Sequence, residues 1–152
     1  MSMKATDLMI GDYLQDEITG DNVLIRELSD ENIMGDKITV EYLEGRNEGN
    51  IITMPLTKEL KPILLTPEIL KKNKFEESAI QTTIMKEQQI PPCMRYGIQL
   101  GEYSGVYISF GLPNTPIYDI RSDYRVFQGV CIYVHELQHA LKLCKIDKEI
   151  RL

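Results

Sequence analysis

The sequence predicts an α+β fold, and three observations carry that prediction. Short alternating apolar segments separated by turn residues fill the first sixty positions. A second alternating set runs through positions 94–120, and helix signals stand on either side of it. The apolar share of 43% with 26% charged residues supplies enough apolar surface for a core over 152 residues. The expected architecture is an N-terminal small antiparallel β-barrel-like (SH3-like) module over 1–62, then an α+β module over 63–152. The second module comprises a helix, a β-meander and a C-terminal helix.

The N-terminal strands are expected at 12–15, at 22–28 after the Thr19-Gly20-Asp21 turn, at 37–44, and at 50–54 after the loop Gly45–Gly49. In the third, Ile38, Val40 and Tyr42 fall on one face, as a half-buried strand requires. Strands spaced this closely fit a small barrel. Pro55 and Pro62 mark the junction. The run Thr66-Pro67-Glu68-Ile69-Leu70 then reads as a helix start. Thr66 can cap, Pro67 suits the first helical position and Glu68 the positive end of the dipole, so a helix is expected over about 66–74. Residues 76–93 carry no clear periodicity. Strands follow over about 94–120, with Met94, Tyr96, Ile98 and Leu100 alternating, then Val106, Ile108 and Phe110. A helix over about 129–145 closes the reading.

Seventeen basic against twenty-three acidic residues give a formal charge of −6, which disfavours nucleic-acid binding through the small barrel, since phosphate recognition rests on a basic surface. Met1–Asp7 has no apolar signal region, and the longest apolar run, 130–134, is far short of the roughly 20 residues a membrane span needs. Three cysteines without C-x-x-C spacing (Cys93, Cys131, Cys144) argue for a reducing compartment, so a cytoplasmic location is expected, with no membrane partner.

One pentapeptide carries chemistry: His135-Glu136-Leu137-Gln138-His139. On a helix, histidines four apart can ligate one zinc, and the intervening glutamate can act as base on metal-bound water. The alternative function is therefore a zinc-dependent hydrolase with His135 and His139 as ligands and Glu136 as catalytic base. Catalytic zinc takes three protein ligands. The chain has no third histidine, and the metzincin positions 142 and 145 are both lysine. Asp147 and Glu149 are the only downstream carboxylates. At about 100° per residue, both histidines also lie opposite the stripe of Leu137, Leu141 and Cys144, pointing away from the packed face. The preferred reading is accordingly no catalytic residue, no cofactor and no metal.

Two segments resemble a group of small uncharacterised proteins of Bacteroides-type gut bacteria, their phages and mobile elements. Residues 62–75, PILLTPEILKKNKF, are similar to the group's P-I-P-L-T-P-E-I-L-x-K-N-G-F, and residues 133–143, YVHELQHALKL, to its Y-V-H-x-L-Q-x-A-L-x-L. The opening Ile10-Gly11-Asp12-Tyr13 is also similar. Members of the group can carry Gln or Asn at the positions of Glu136 and His139, changes a zinc site could not survive, so the resemblance counts against one. It implies no established activity, but it places the chain in a phage or mobile-element setting. Lys74 and Lys145 stand where the group's pattern has the glycine after a helix end.

The acidic pairs Glu76-Glu77 and Asp30-Glu31 read as solvated turn charges. Gly97, Gly101 and Gly105 do not form a phosphate loop. Cys93, after Pro91-Pro92, has only Arg95 nearby to activate it. Tyr103, Tyr107, Tyr118 and Tyr124 read as a core edge. The expected function is non-enzymatic: binding or assembly with an unknown protein partner.

Overall fold

The computed structural model describes residues 7–31, 35–56, 60–111, 115–122 and 125–152, with the backbone alone at 30–31 and 35–36. Tyr124, the N-terminal six residues and the side chains of Asp30 and Glu31 therefore lie outside what is described. The fold is α+β, with two five-stranded antiparallel sheets and three short α-helices among the described residues. The chain divides into two compact units, Met1–Ile63 and Leu64–Leu152.

In the first unit, β1 (Tyr13–Asp16), β2 (Asn22–Glu31), β3 (Gly35–Tyr42), β4 (Ile51–Pro55) and β5 (Leu60–Pro62) form one sheet in the order β4-β3-β2-β1-β5. Alternation places Val23, Ile25, Ile38, Val40 and Tyr42 inside, with Leu8, Leu14 and Leu60 closing the core. The register of β2 on β3 shifts between Ile25 and Glu27. That bulge lets Leu28 return to the core side three residues after Ile25, where strict alternation would send it outward. Beside this core, the Tyr42 hydroxyl donates to Asp16 Oδ2 at 2.6 Å. The other oxygen of Asp16 accepts from Ile18 N at 2.9 Å and so fixes the turn after β1.

The second unit is richer in strands than its sequence pattern. β6 (Glu76–Ile80), β7 (Cys93–Gln99), β8 (Gly105–Phe110), β9 (Pro116–Ser122) and β10 (Arg125–Val130) form an antiparallel sheet in the order β10-β9-β8-β7-β6. The segment 76–93 becomes β6 and α2 (Thr83–Glu87). The C-terminal helix expected from 129 is instead α3 (Val134–Leu143), because the preceding run Arg125–Val130 continues the meander as a strand. Its β-branched and aromatic residues favour that state, and pairing with β9 satisfies its backbone. Helix α1 (Pro67–Lys72) starts as its cap predicts, Thr66 Oγ1 accepting from Ile69 N at 3.4 Å.

One sheet face carries Tyr96, Val106, Ile108 and Ile120, all buried. Leu70 of α1 and Val134, Leu137 and Leu141 of α3 are buried in the same unit, as are Leu65, Phe75, Cys131, Ala140 and Ile150. All three helices end alike, with the first residue past the C-cap in the left-handed region: Lys74 at φ 66°, Gln89 at 56° and Lys145 at 56°. Phe75 N then bonds Leu70 O at 3.0 Å, Ile90 N bonds Met85 O at 2.8 Å, and Ile146 N bonds Leu141 O at 2.9 Å. These are Schellman turns built without glycine, each at a cost of roughly 1 kcal/mol in backbone strain. Asn73 does not take over the left-handed position at the end of α1; its φ is −89°.

Asn73 has a different task. Its buried side chain donates to Ile69 O at 2.8 Å and to Arg151 O at 2.7 Å, and accepts from Arg151 N at 2.8 Å. The amide thus pairs with the C-terminal tail as a strand would, while Ile150 is fully buried beside it in sequence.

Loss of the Asn73 contacts should be measurable. Asn73→Ala should lower the unfolding free energy by about 2–3 kcal/mol in denaturant titration, with amide exchange rising first at Ile150 and Arg151. In the first unit, burial and the adjacent Asp16 push the Tyr42 phenol up to about 12. Unfolded tyrosine ionises near 10, so this group's contribution is intact below about pH 10 and lost as pH rises toward 12. Tyr42→Phe should remove that alkaline step in stability and, at neutral pH, cost about 1–2 kcal/mol.

Candidate functional site

The histidine motif sits in the first two turns of α3. His135 is buried, at 7% exposure, and His139 is half-buried, which corrects the expectation that both point away from the packed face. The reason lies in the chain before the helix. Tyr133 is extended and bridges Leu64, while Leu65 N bonds Ile132 O at 2.9 Å. That path lays the Tyr133 ring along His135, with centroids 5.8 Å apart and planes 9° from parallel. A helical wheel contains no such flanking segment. The two imidazoles meet edge to face, their centroids 5.5 Å apart.

Glu136 is engaged at the helix start: its Oε2 accepts from Tyr133 N at 3.0 Å, the carboxylate half of a capping box. Asp147 and Glu149 are exposed in the tail, where Glu149 pairs with Arg151 at 3.5 Å. Among the described residues no three His, Cys, Asp or Glu side chains group closely enough to hold a metal. Among the described residues, the two histidines come together without a third ligand grouped beside them.

The cysteines separate by environment. Cys131 is fully buried, and burial pushes its thiol up to about 12, which makes it a poor nucleophile. Cys144 is pushed up as well, again by burial. Cys93 is half-buried and donates through Sγ to Phe110 O at 3.0 Å.

Cys93 also opens onto the feature that sequence reasoning missed. A groove of about 520 Å³ lies at one end of the second unit's sheet. Its floor is Met94, Tyr96 and Phe110; Pro67 and Met85 stand at its sides, and Ile90–Pro92 form its rim. Register explains the floor, because Met94 pairs with Phe110 and Tyr96 with Ile108, so these side chains share a face. Tyr96 and Phe110 meet edge to face, 5.6 Å apart at 88°. The double proline and the start of α1 are legible in the sequence, but nothing local says that 81–92 folds as a wall beside the sheet. The size is that of a ligand or anchor-residue pocket, and the lining has no charged side chain.

The opposite face of the sheet is polar. Tyr107 lies flat across Gly97 and Gly105, where an added Cβ would come within 2.5 and 2.9 Å of the ring. The Arg95 guanidinium stacks on it at 4.0 Å and that of Arg121 stands at 5.4 Å. The glycines spaced along these strands thus serve close approach of a tyrosine. On the apolar face, where it pairs with Ile108, Tyr118 makes a similar close approach over Gly129, where an added Cβ would meet its hydroxyl at 2.5 Å.

Charge divides with the units. The first has six basic against thirteen acidic residues, the second eleven against ten. The first unit therefore carries −7 and the second +1, which together make the −6 of the whole chain.

If Glu136 serves as a cap, Glu136→Ala should cost about 1 kcal/mol and leave the zinc content of purified protein unchanged, as read by denaturant titration and elemental analysis. Comparison of the chain with protein-family models, with curated proteins and with solved structures finds no match.

Proposed function

We propose that this is a non-enzymatic, cytoplasmic binding or assembly protein of the phage and mobile-element type its sequence segments resemble. The groove floored by Met94, Tyr96 and Phe110 is the observation that carries the reading. Methionine and aromatic side chains form adaptable apolar contact surfaces, and prolines on the rim hold the groove open at little entropic cost. The partner presents an apolar anchor, since no charged side chain lines the groove to recognise a charged one.

The first unit is read as an SH3-like small barrel acting as a platform. Its strand order, β4-β3-β2-β1-β5, and its bulged β2 support that reading. The thirteen acidic residues of this unit weigh against nucleic acid as its ligand. The zinc-hydrolase alternative draws support from the contact of the two imidazoles alone.

A photo-crosslinking residue at Met85, expressed in the host, tests the proposal. One protein should be captured reproducibly, and with that protein purified, Phe110→Glu should weaken binding at least tenfold, about 1.4 kcal/mol by calorimetry. Capture no stronger at Met85 than at Ser109 on the other face would overturn it. So would a hydrolytic activity lost in His139→Ala.

A further inference from the structure

The outer strand β10 has a pairing edge of its own, separate from the groove. Cys131 N bonds Pro116 O at 3.1 Å, and the register of β10 on β9 carries that parity back along the strand. Arg125, Phe127 and Gly129 therefore direct their backbone groups to β9, while Val126, Gln128 and Val130 direct theirs away from the sheet. One position further on, Ile132 O accepts from Leu65 N at 2.9 Å. The edge thus already takes an extended segment at its end, and no strand among the described residues pairs with the three preceding outward residues.

Edge strands are ordinarily guarded by charge, proline or a bulge. The opposite edge strand of this sheet, β6, opens with Glu76 and Glu77, both exposed. Strand β10 has none of these guards between Val126 and Val130, and Val126, Phe127 and Val130 are 56%, 39% and 53% exposed. Apolar side chains thus stand on both faces of an open edge.

We propose that β10 pairs antiparallel with β10 of a second copy of this chain, giving a two-fold dimer with a continuous sheet. The outward residues Val126, Gln128 and Val130 read the same in both directions, which is the self-complementarity an isologous contact requires. With Gln128 on the axis, Val126 of each copy opposes Val130 of the other, and Phe127 opposes a glycine. Each directly opposed outward pair exchanges two N–H···O bonds. The strand's one charge, Arg125, falls opposite Cys131 of the other copy, so no like charges face each other. A parallel arrangement would set the two arginines side by side. The Leu64–Leu65 segment limits the paired stretch to these residues, which makes the dimer concentration-dependent.

Sedimentation velocity of the full chain from low micromolar to a few hundred micromolar tests this. The mass should rise from 17.5 kDa toward twice that value. Gln128→Pro removes an outward N–H that the subunit's own sheet does not use, and should hold the protein monomeric throughout. Val126→Lys/Val130→Lys, which keeps every backbone donor, should do the same and decides the matter if the proline variant misfolds. A wild-type chain that stays at 17.5 kDa would overturn the proposal, as would undiminished association in a folded variant.

Discussion

The carboxamide of Asn73 holds the last residues of the chain against the end of α1, with its nitrogen on the carbonyl of Arg151 and its oxygen on the amide. A residue beyond a six-residue helix thereby acts as a one-residue strand for the tail. Lys148 adds to it by donating to Asn73 O at 3.0 Å. Both polar ends of the amide are satisfied while the side chain is buried, so it escapes the desolvation penalty of an orphaned polar group. With the tail held there, Ile150 is fully buried, and a C-terminal stretch with no regular secondary structure becomes part of the core. Short helices that end on lysine or glutamine in the left-handed region are tolerable because packing offsets the strain. The hydrophobic residue after each turn supplies it, Phe75 most completely at 3% exposure.

The same economy governs the pentapeptide with the histidines. Residue types that could build a hydrolytic centre are here engaged by the helix itself. Glu136 closes the N-terminus of α3, and His135 is packed under the Tyr133 ring. The path that puts Tyr133 there is the short pairing of Leu64–Leu65 with Ile132–Tyr133, which also shuts the end of the β10 edge. One local pairing thus shapes both the histidine environment and the limit of the open strand.

Glycine placement ties the two sheet faces to their roles. Gly97 and Gly105 let Tyr107 lie on the polar face under Arg95, and Gly129 gives Tyr118 room beside β10. Large rings are accommodated by small neighbours across the strands, so the sheet keeps its regular spacing. At the Met94–Phe110 end the groove lies between the sheet and Pro67 of α1, Met85 of α2 and the Ile90–Pro92 segment.

Alternation in Ile38–Val40–Tyr42 and in Val106–Ile108 is sufficient to place strands and their inward faces, because a half-buried strand imposes a period of two. Thr66-Pro67 is sufficient to place the start of α1, because capping is a local matter. The segment 76–93 is illegible: β6 is exposed at four of its five positions and shows no pattern to read. The end of the meander misleads for the opposite reason, since the apolar residues of 126–134 serve a strand and a helix in succession. Fold class and most strands are thus determined by local sequence alone. The burial of His135, the use of Glu136 as a cap, the groove and the open edge are decided by tertiary structure. Each depends on how segments pack or pair beyond their own periodicity, and no local pattern encodes such a meeting.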